Sequence, residues 1–270
     1  MRFALLTLVC GVVTATTARA HYHMLLPDRH SVKTGDKVVV TYQFGHPFEH
    51  ELFDTEKPVK AVAFDPDGKS VDLLSSFEKV EVPGREGKKV AAYQFTLQPA
   101  ARGDYTIIVE SSPTWMADEK HFLHDTCRLT IHVDTQKGWD VGFVDAVPFV
   151  LQPLTRPYGL RPGTVFQAQV PAESGGLTAY CTAEVERYNP TPPTALPPDE
   201  YRTLALKSDR AGVITCALPD PGWWSITVAR KPTRLEKLIT KTHDGKEYPV
   251  IDRATIWVPV DDKIPLKPAE

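Results

Sequence analysis

The chain contains 270 residues, of which 42% are hydrophobic, enough to bury one large core or two small ones. It carries 31 basic and 34 acidic side chains, a formal net charge of −3 and no run of basic residues, so nothing in its charge favours nucleic-acid binding. It also lacks a Gly-x-Ser-x-Gly nucleophile elbow and a Gly-rich phosphate loop between a strand and a helix, which excludes those two classes of enzyme site.

Residues 1–20 have the features of a signal peptide. Arg2 provides the positive n-region, Phe3–Val13 is apolar, and Ala18-Arg19-Ala20 matches the small-residue cleavage pattern. We therefore expect cleavage after Ala20 and a periplasmic or secreted protein. No later apolar segment is long enough to span a bilayer, so we expect no transmembrane segment in the mature chain.

Cleavage at this position would make His21 the first residue of the mature chain and His23 the third. A terminal amine, two backbone nitrogens and the imidazole of a third residue can surround one ion in a plane. Square-planar nitrogen ligation of this kind suits Cu(II) or Ni(II). The alternative interpretation is that the two histidines are ordinary polar residues near a frayed terminus.

Residues 21–138 are predicted to form an N-terminal β-sandwich. Short runs of β-branched and aromatic residues are separated by turn signals such as Asp65-Pro66-Asp67-Gly68, and no helical period lies between them. This pattern is typical of a β-sandwich. The predicted strands are Lys37–Phe44, Val59–Phe64, Val90–Leu97, Tyr105–Glu110 and Arg128–Val133.

The start of this region predicts a hairpin that gathers histidines. If His21–Leu26 is a strand and Lys37–Phe44 returns antiparallel to it, the start of the first strand lies beside the end of the second. Neutral imidazoles ligate transition metals, and Glu49 in the same loop could add a ligand or orient one. The alternative is a polar loop that is rich in histidine by chance. The predicted metal ligands are His21, His23, His46 and His50.

His121 and His124 are two further candidate ligands. They lie between the strands predicted at Tyr105–Glu110 and Arg128–Val133, in a segment that we interpret as a solvated loop. The loop reaches the same end of the sandwich as the other histidines if residues 70–82 hold one strand, and the far end if they hold two.

A second series of strands predicts a C-terminal β-sandwich over residues 139–270. It contains a Pro-rich surface loop, Asn189–Glu200. Three cysteines follow the signal peptide, and Cys181 and Cys216, in neighbouring predicted strands, could form a disulfide. The predicted strands are Thr164–Val170, Thr178–Val185, Gly212–Leu218, Trp224–Ala229 and Ala254–Val258.

Several motifs resemble one family of exported bacterial proteins of unknown function, whose members are often described as the periplasmic component of nickel or cobalt uptake. The resemblance implies a periplasmic metal-binding protein beside a transporter, with a transthyretin-like second sandwich, and it implies His21, His23 and His46 as ligands. The motifs are His21-Tyr22-His23-Met24-Leu25, Gly45-His46-Pro47-Phe48-Glu49, Asp65-Pro66-Asp67-Gly68, Leu160-Arg161-Pro162-Gly163-Thr164, Ser208-Asp209-Arg210-Ala211-Gly212 and Pro221-Gly222-Trp223-Trp224.

The leading hypothesis is a non-enzymatic, exported transition-metal binder that captures a metal ion, with Ni(II) favoured as its identity and Co(II) or Cu(II) as alternatives, and delivers it to a membrane-embedded transporter. One alternative is a copper-dependent oxidative enzyme in which His21 and a second imidazole form a histidine brace. Another is a metal-free structural sandwich protein. Residue types leave the metal open, since Cu(II) binds most nitrogen sites more tightly than Ni(II), and they leave open a planar chelate or a histidine cluster.

Overall fold

A computed structural model describes residues 21–84, 87–140, 149–170, 178–230 and 239–264. The predicted signal peptide, residues 1–20, lies outside the described residues. Within the described ranges, no helix has the length and apolar character needed to cross a membrane.

The described residues form an all-β protein with two short 3-10 helices, Leu74–Ser76 and Asp199–Tyr201. In chain order, the strands are β1 (Tyr22–Pro27), β2 (Ser31–Val32), β3 (Val38–His46), β4 (Glu51–Phe53), β5 (Lys60–Phe64), β6 (Ser70–Asp72), β7 (Glu78–Pro83), β8 (Lys89–Leu97), β9 (Gly103–Glu110), β10 (Thr114–Met116), β11 (His121–Val133), β12 (Gln152–Pro153), β13 (Thr164–Gln169), β14 (Thr182–Tyr188), β15 (Thr203–Lys207), β16 (Val213–Leu218), β17 (Gly222–Ala229), β18 (Thr240–His243) and β19 (Lys246–Val260).

The strands form three sheets. The first has the order β1-β3-β8-β7, with β4 paired to β3. The second runs β15-β14-β17-β19-β11-β9-β5-β6, and β2, β10 and β18 attach to it. The third has the order β12-β13-β16. The predicted β-sandwich class is confirmed.

The two largest hydrophobic cores of the described residues lie against the large second sheet. One packs the first sheet against the β11, β9 and β5 half, with Tyr42, Phe95 and Ile107 buried. The other packs the third sheet against the β14, β17 and β19 half, with Phe166 and Ile226 buried. Burial of these apolar side chains is the main favourable contribution to folding in both halves.

The large sheet is continuous across the predicted domain boundary at residues 138–139. Strands β11 and β19 pair in parallel from Phe122↔Val250 to Leu129↔Trp257, at the centre of the sheet. Trp257, although it belongs to the last strand, is fully buried in the first core. The two sandwiches therefore share one sheet.

The predicted disulfide between Cys181 and Cys216 is not formed. Cys181 directly precedes β14 in the large sheet, whereas Cys216 lies on β16, which pairs with β13 in the third sheet. The two residues face the second core from opposite sheets rather than from neighbouring strands. Their thiols donate instead to the carbonyl oxygens of Thr178 and Phe166.

Candidate metal centre

The predicted N-terminal hairpin is confirmed, and it brings His21 and His46 together. Strands β1 and β3 are antiparallel with Tyr22 opposite Gly45, so the residue before β1 lies beside the last residue of β3. The centres of the two imidazole rings are 4.1 Å apart, and their planes are inclined at 59°. With metal–nitrogen bonds of about 2.0 Å, two cis imidazole ligands would have ring centres about 4–5 Å apart. The pair therefore has a separation suited to one shared ion.

Gly45 allows the chain to fold closely at this point. Its φ is +153°, and a Cβ atom there would lie 2.1 Å from the carbonyl oxygen of Glu51. Because this glycine has no side chain, β4 can lie against the end of β3, with His46 opposite Glu51. The Glu51 carboxylate lies 3.4 Å from His46 Nδ1, where it can orient the ring.

Aromatic side chains surround the histidine pair. Phe53 lies 5.6 Å from His21 and 5.4 Å from His46 between ring centres, and Phe44 stacks 5.8 Å from His21. His46 is 2% exposed, whereas His21 is half-buried. One imidazole is therefore enclosed, and the other remains open to solvent.

His21 opens onto a cleft of about 190 Å³ that is lined by two glutamates and by Arg253, whose positive charge is paired with Asp125. His121 also lines this cleft, and its Nε2 lies 3.3 Å from a carboxylate oxygen of Glu119. Glu184 lines it from β14 and accepts a hydrogen bond from the Tyr22 hydroxyl at 3.0 Å. Both carboxylates would favour a cation in the cleft.

His23 belongs to a buried polar cluster rather than to the His21–His46 pair. Its Nδ1 lies 2.7 Å from Oδ2 of Asp125, and its ring stacks on Tyr42 and packs against Phe44. Its backbone nitrogen also donates to Asp125. The planar terminal chelate requires both this nitrogen and the His23 ring, so the observed conformation does not provide that geometry.

Arg253 connects this buried cluster to His21. Its guanidinium binds both carboxylate oxygens of Asp125, at 2.6 and 2.7 Å, and donates to the carbonyl oxygen of His21 at 2.5 Å. Burial would raise the pKa of Asp125, but Arg253 and His23 together hold this pKa well below its usual range. The negative charge is therefore retained in the interior, and through Arg253 it holds the backbone of His21 in place.

Sequence reasoning did not find Asp125 and Arg253. They lie 128 residues apart on β11 and β19 and meet only through the parallel pairing of these strands. No local spacing relates them to His21. Asp125 directly follows His124, in the segment that the sequence predicts as a solvated loop.

His50 and Glu49 hold the loop after β3 against the second half of the molecule. His50 Nδ1 lies 2.9 Å from the carbonyl oxygen of Asn189. Glu49 forms an ion pair with Arg202, at 2.9 Å. Both predicted site residues thus have partners outside the His21–His46 pair.

The prediction that His121 and His124 lie in a loop is wrong, because β11 already begins at His121. Residues 70–82 hold two strands, β6 and β7, and two strands there predict that His121 lies at the far end of the sandwich from His21. In the structure, His121 instead lines the same cleft as His21. His124 lines a different cavity, and its Nδ1 lies 2.8 Å from Asp252. The hydrogen bond with Asp252 raises the pKa of His124, against the effect of burial.

Over the described residues, no group of three or more His, Cys, Asp or Glu side chains is arranged to hold a metal ion. The structure thus brings together His21 and His46, with His121 in the adjoining cleft. It gives His23, His50, Glu49 and His124 other partners.

The sequence profile of a family described as a domain of unknown function, DUF4198, matches residues 18–231. The chain belongs to the DUF4198 family. This match confirms the predicted resemblance to a family of unknown function. No curated protein matches this DUF4198 chain.

The solved structures to which this DUF4198 chain is similar include three with low sequence identity and low TM-scores. A DUF4785 family protein from Legionella pneumophila is 9% identical with a TM-score of 0.29, and the match covers 77% of this chain and 51% of that one. Salmonella alpha-2-macroglobulin is 14% identical with a TM-score of 0.25, over 90% and 15% of the two chains. A titin I-band fragment is 10% identical with a TM-score of 0.22, over 90% and 66%. The chain thus spans about half of the Legionella protein and a small part of the macroglobulin.

Proposed function

We propose that this protein is an exported transition-metal binder that captures a divalent ion, Ni(II) as the first candidate and Co(II) or Cu(II) as the alternatives, and delivers it to a membrane-embedded uptake transporter. The observation that carries the proposal is the 4.1 Å separation of the His21 and His46 rings. The preference for Ni(II) and the transporter come from the resemblance to proteins described as components of nickel or cobalt uptake.

The donor set fits a nitrogen-rich site for a divalent ion. His21 and His46 supply two imidazoles, and cleavage before His21 would add the α-amino group of the same residue. This third donor is a main-chain group, so side chains alone would not complete the site. Nitrogen donors of these kinds suit Ni(II) and Cu(II).

The surroundings of the pair suit capture followed by release. His21 is half-buried and faces this cleft, so an arriving cation meets Glu119 and Glu184 near the open ligand. Arg253 fixes the His21 backbone, which reduces the ordering cost of binding. Bound metal should dissociate as the pH falls, because amine and imidazole must lose their protons to bind.

The test is isothermal titration of Ni(II) and Cu(II) into the chain that begins at His21. We expect one-to-one binding that weakens at least about tenfold when one residue is added before His21, since the extension converts the amine to an amide. His21→Ala should weaken binding by a similar factor. His243→Ala is the matched control, because His243 lies in the β18–β19 hairpin and stacks on Trp115.

Other outcomes would contradict the proposal in distinct ways. Equal binding by the extended and cleaved chains would exclude the amine and move the site to other histidines. Copper-dependent oxygen consumption with a reductant, lost in His21→Ala, would indicate the oxidative enzyme. Binding of neither metal would leave a structural sandwich protein.

Deleting residues 21–23 does not distinguish the metal-free alternative, because the structure buries His23 and Tyr22. Such a deletion would remove part of the first core whether or not a metal binds. Single substitutions at His21 avoid this problem.

A further inference from the structure

A second cluster of polar side chains lies at the opposite end of β1 and β11 from His21. His30 follows β1, and His132 is the penultimate residue of β11. At a rise of about 3.3 Å per residue, the eleven steps along β11 from His121 to His132 span about 36 Å. Both histidines line an open cleft of about 690 Å³. This cleft is separate from the His21–His46 pair.

A buried carboxylate organises one wall of the cleft. Asp104 is 1% exposed and accepts hydrogen bonds from the Tyr158 hydroxyl, at 2.8 Å, and the Lys137 backbone N–H, at 3.0 Å. His132 Nδ1 lies 2.7 Å from the other oxygen of Asp104. The His132 and Tyr158 rings stack at 4.3 Å between centres, inclined at 20°. The wall is therefore fixed in place before any ligand arrives.

Arg156 carries a positive charge at this wall that no carboxylate neutralises among the described residues. Its Nε donates to the carbonyl oxygen of Tyr158, at 3.2 Å, and its Nη1 donates to Oε1 of Gln136, at 3.0 Å. Both acceptors are neutral, and they hold the half-buried guanidinium in one orientation beside the cleft. Lys263 adds a second positive charge to the lining.

The acidic groups at the cleft already have cationic or imidazole partners. Asp261 lies 3.1 Å from Nε2 of His30. Asp28 lies 3.9 Å from Arg29, whose guanidinium also lies 3.7 Å from Asp36. Arg156 and Lys263 are thus the cations of the lining that form no ion pair within the described residues.

We propose that this cleft binds a small ligand through an oxyanion group, a carboxylate or a phosphate, with Arg156 as its principal contact. A fixed guanidinium presents parallel N–H groups that match the two oxygens of such a group. Lys263 supplies a second positive charge, and the partly exposed His132 ring lies at the same wall.

The experiment is isothermal titration of the chain starting at His21 with citrate and, separately, with inorganic phosphate, at low ionic strength and without metal. We expect saturable one-to-one binding of at least one probe, weakened about tenfold or more by Arg156→Gln, since a hydrogen bond to a charged group is lost. Lys263→Gln, at an exposed position, should weaken binding by a smaller factor. A preference for citrate would indicate a carboxylate ligand, and a preference for phosphate a phosphorylated one.

Arg102→Gln is the matched control, because Arg102 is exposed and does not line the cleft. The Arg102→Gln and His21→Ala variants should both bind the probes with the same affinity as the unmodified chain. Failure of both probes to bind would overturn the proposal. So would equal affinities in Arg156→Gln, Lys263→Gln and the unmodified chain.

Discussion

Asp125 is the residue on which the buried polar cluster depends. Its carboxylate lies within hydrogen-bond distance of His23 and binds Arg253 through both oxygens. Arg253 in turn donates a hydrogen bond to the carbonyl oxygen of His21, the residue directly before β1. Removing one partner of a buried ion pair is costly because it leaves the other charge unpaired. The cluster therefore couples stability to the position of His21.

We predict that Asp125→Asn lowers the free energy of unfolding by about 3–5 kcal/mol, because Arg253 would remain charged in the interior. Urea unfolding of the purified variant measures the loss. Asp262→Asn, at an exposed position near the end of the described chain, is the control and should change stability by less than about 0.5 kcal/mol. A loss of similar size in both variants would contradict the role assigned to Asp125.

The same cluster predicts how stability changes in acid. The pKa of Asp125 is depressed in the folded protein, so its contribution is present above the unfolded pKa of about 3.9 and is lost as the pH falls through the folded value. Stability should fall steeply below about pH 4 in the unmodified chain and less steeply in Asp125→Asn. Urea titrations at a series of pH values would show this difference, and parallel curves would refute it.

The contribution of Glu186 to stability has the opposite pH dependence to that of Asp125. Burial raises its pKa to about 8, although it accepts hydrogen bonds from Thr203 and the Phe48 backbone. A raised folded pKa gives stability that is fully present below the unfolded pKa, about 4.3, and is lost as the pH rises towards 8.

We therefore predict that Glu186→Gln stabilises the protein at pH 8 by an amount on the order of 1–3 kcal/mol, with little change at pH 4. Glutamine keeps an oxygen for the Phe48 N–H and removes the charge. Thermal unfolding at the two pH values measures the effect. Glu200→Gln, at an exposed position, is the control, and a destabilised Glu186→Gln at pH 8 would contradict the assignment.

At the scale of single elements, the hairpin of β1 and β3 was predictable and the full length of β11 was not. The hairpin follows from two apolar runs joined by a turn, and its register places His46 beside His21. Strand β11 contains Asp125, a polar residue that is typical of a loop in sequence but is fully buried here. The prediction therefore began the strand at Arg128, seven residues late.

Arg128 shows why the sequence alone could not predict that β11 is buried. Its guanidinium donates to the side-chain oxygen of Gln152 and the carbonyl oxygen of Trp139, two residues outside the strand. Burial lowers its pKa to about 9. The hydrogen-bond acceptors that offset the cost of burying Arg128 lie outside the strand, so no local sequence pattern predicts them.

Gly45 provides a test of the β3–β4 hairpin. We predict that Gly45→Ala destabilises the protein by about 2 kcal/mol or more, because the new Cβ would collide with the Glu51 carbonyl oxygen. Gly35→Ala is the matched control, since Gly35 also has a positive φ but nothing lies within 4 Å of a Cβ there. The control should lose about 1 kcal/mol from backbone strain alone. Chemical denaturation of both variants measures the difference, and equal losses would show that the close approach is unimportant.

At the scale of the whole molecule, the two halves are joined by the central pairing of β11 and β19. The sequence predicted two sandwiches from two series of strands, and both series are present. It could not predict the shared sheet, because strands in separate predicted domains pair here over eight residue positions. Trp257 then completes the first core from the last strand.

We predict that a fragment of residues 21–138 does not fold alone. Without β19, the fragment would expose an unpaired edge of β11 and lose Trp257 from its core. Circular dichroism and amide proton dispersion in NMR would show an unfolded or aggregated chain, whereas residues 21–270 should unfold in one cooperative transition. A fragment with a sharp thermal transition of its own would contradict this prediction.

The hydrogen bond from Arg253 to His21 has a consequence for the life of the chain before it is complete. A ribosome releases His21 far ahead of the arginine that holds it, since the two are 232 residues apart. Trp257, which donates to the His23 carbonyl oxygen, emerges later still. Residues 21–23 therefore reach their final positions among the last steps of biogenesis. A product truncated before Arg253 would contain His21 and His23 but would lack the side chains that hold their backbone in position.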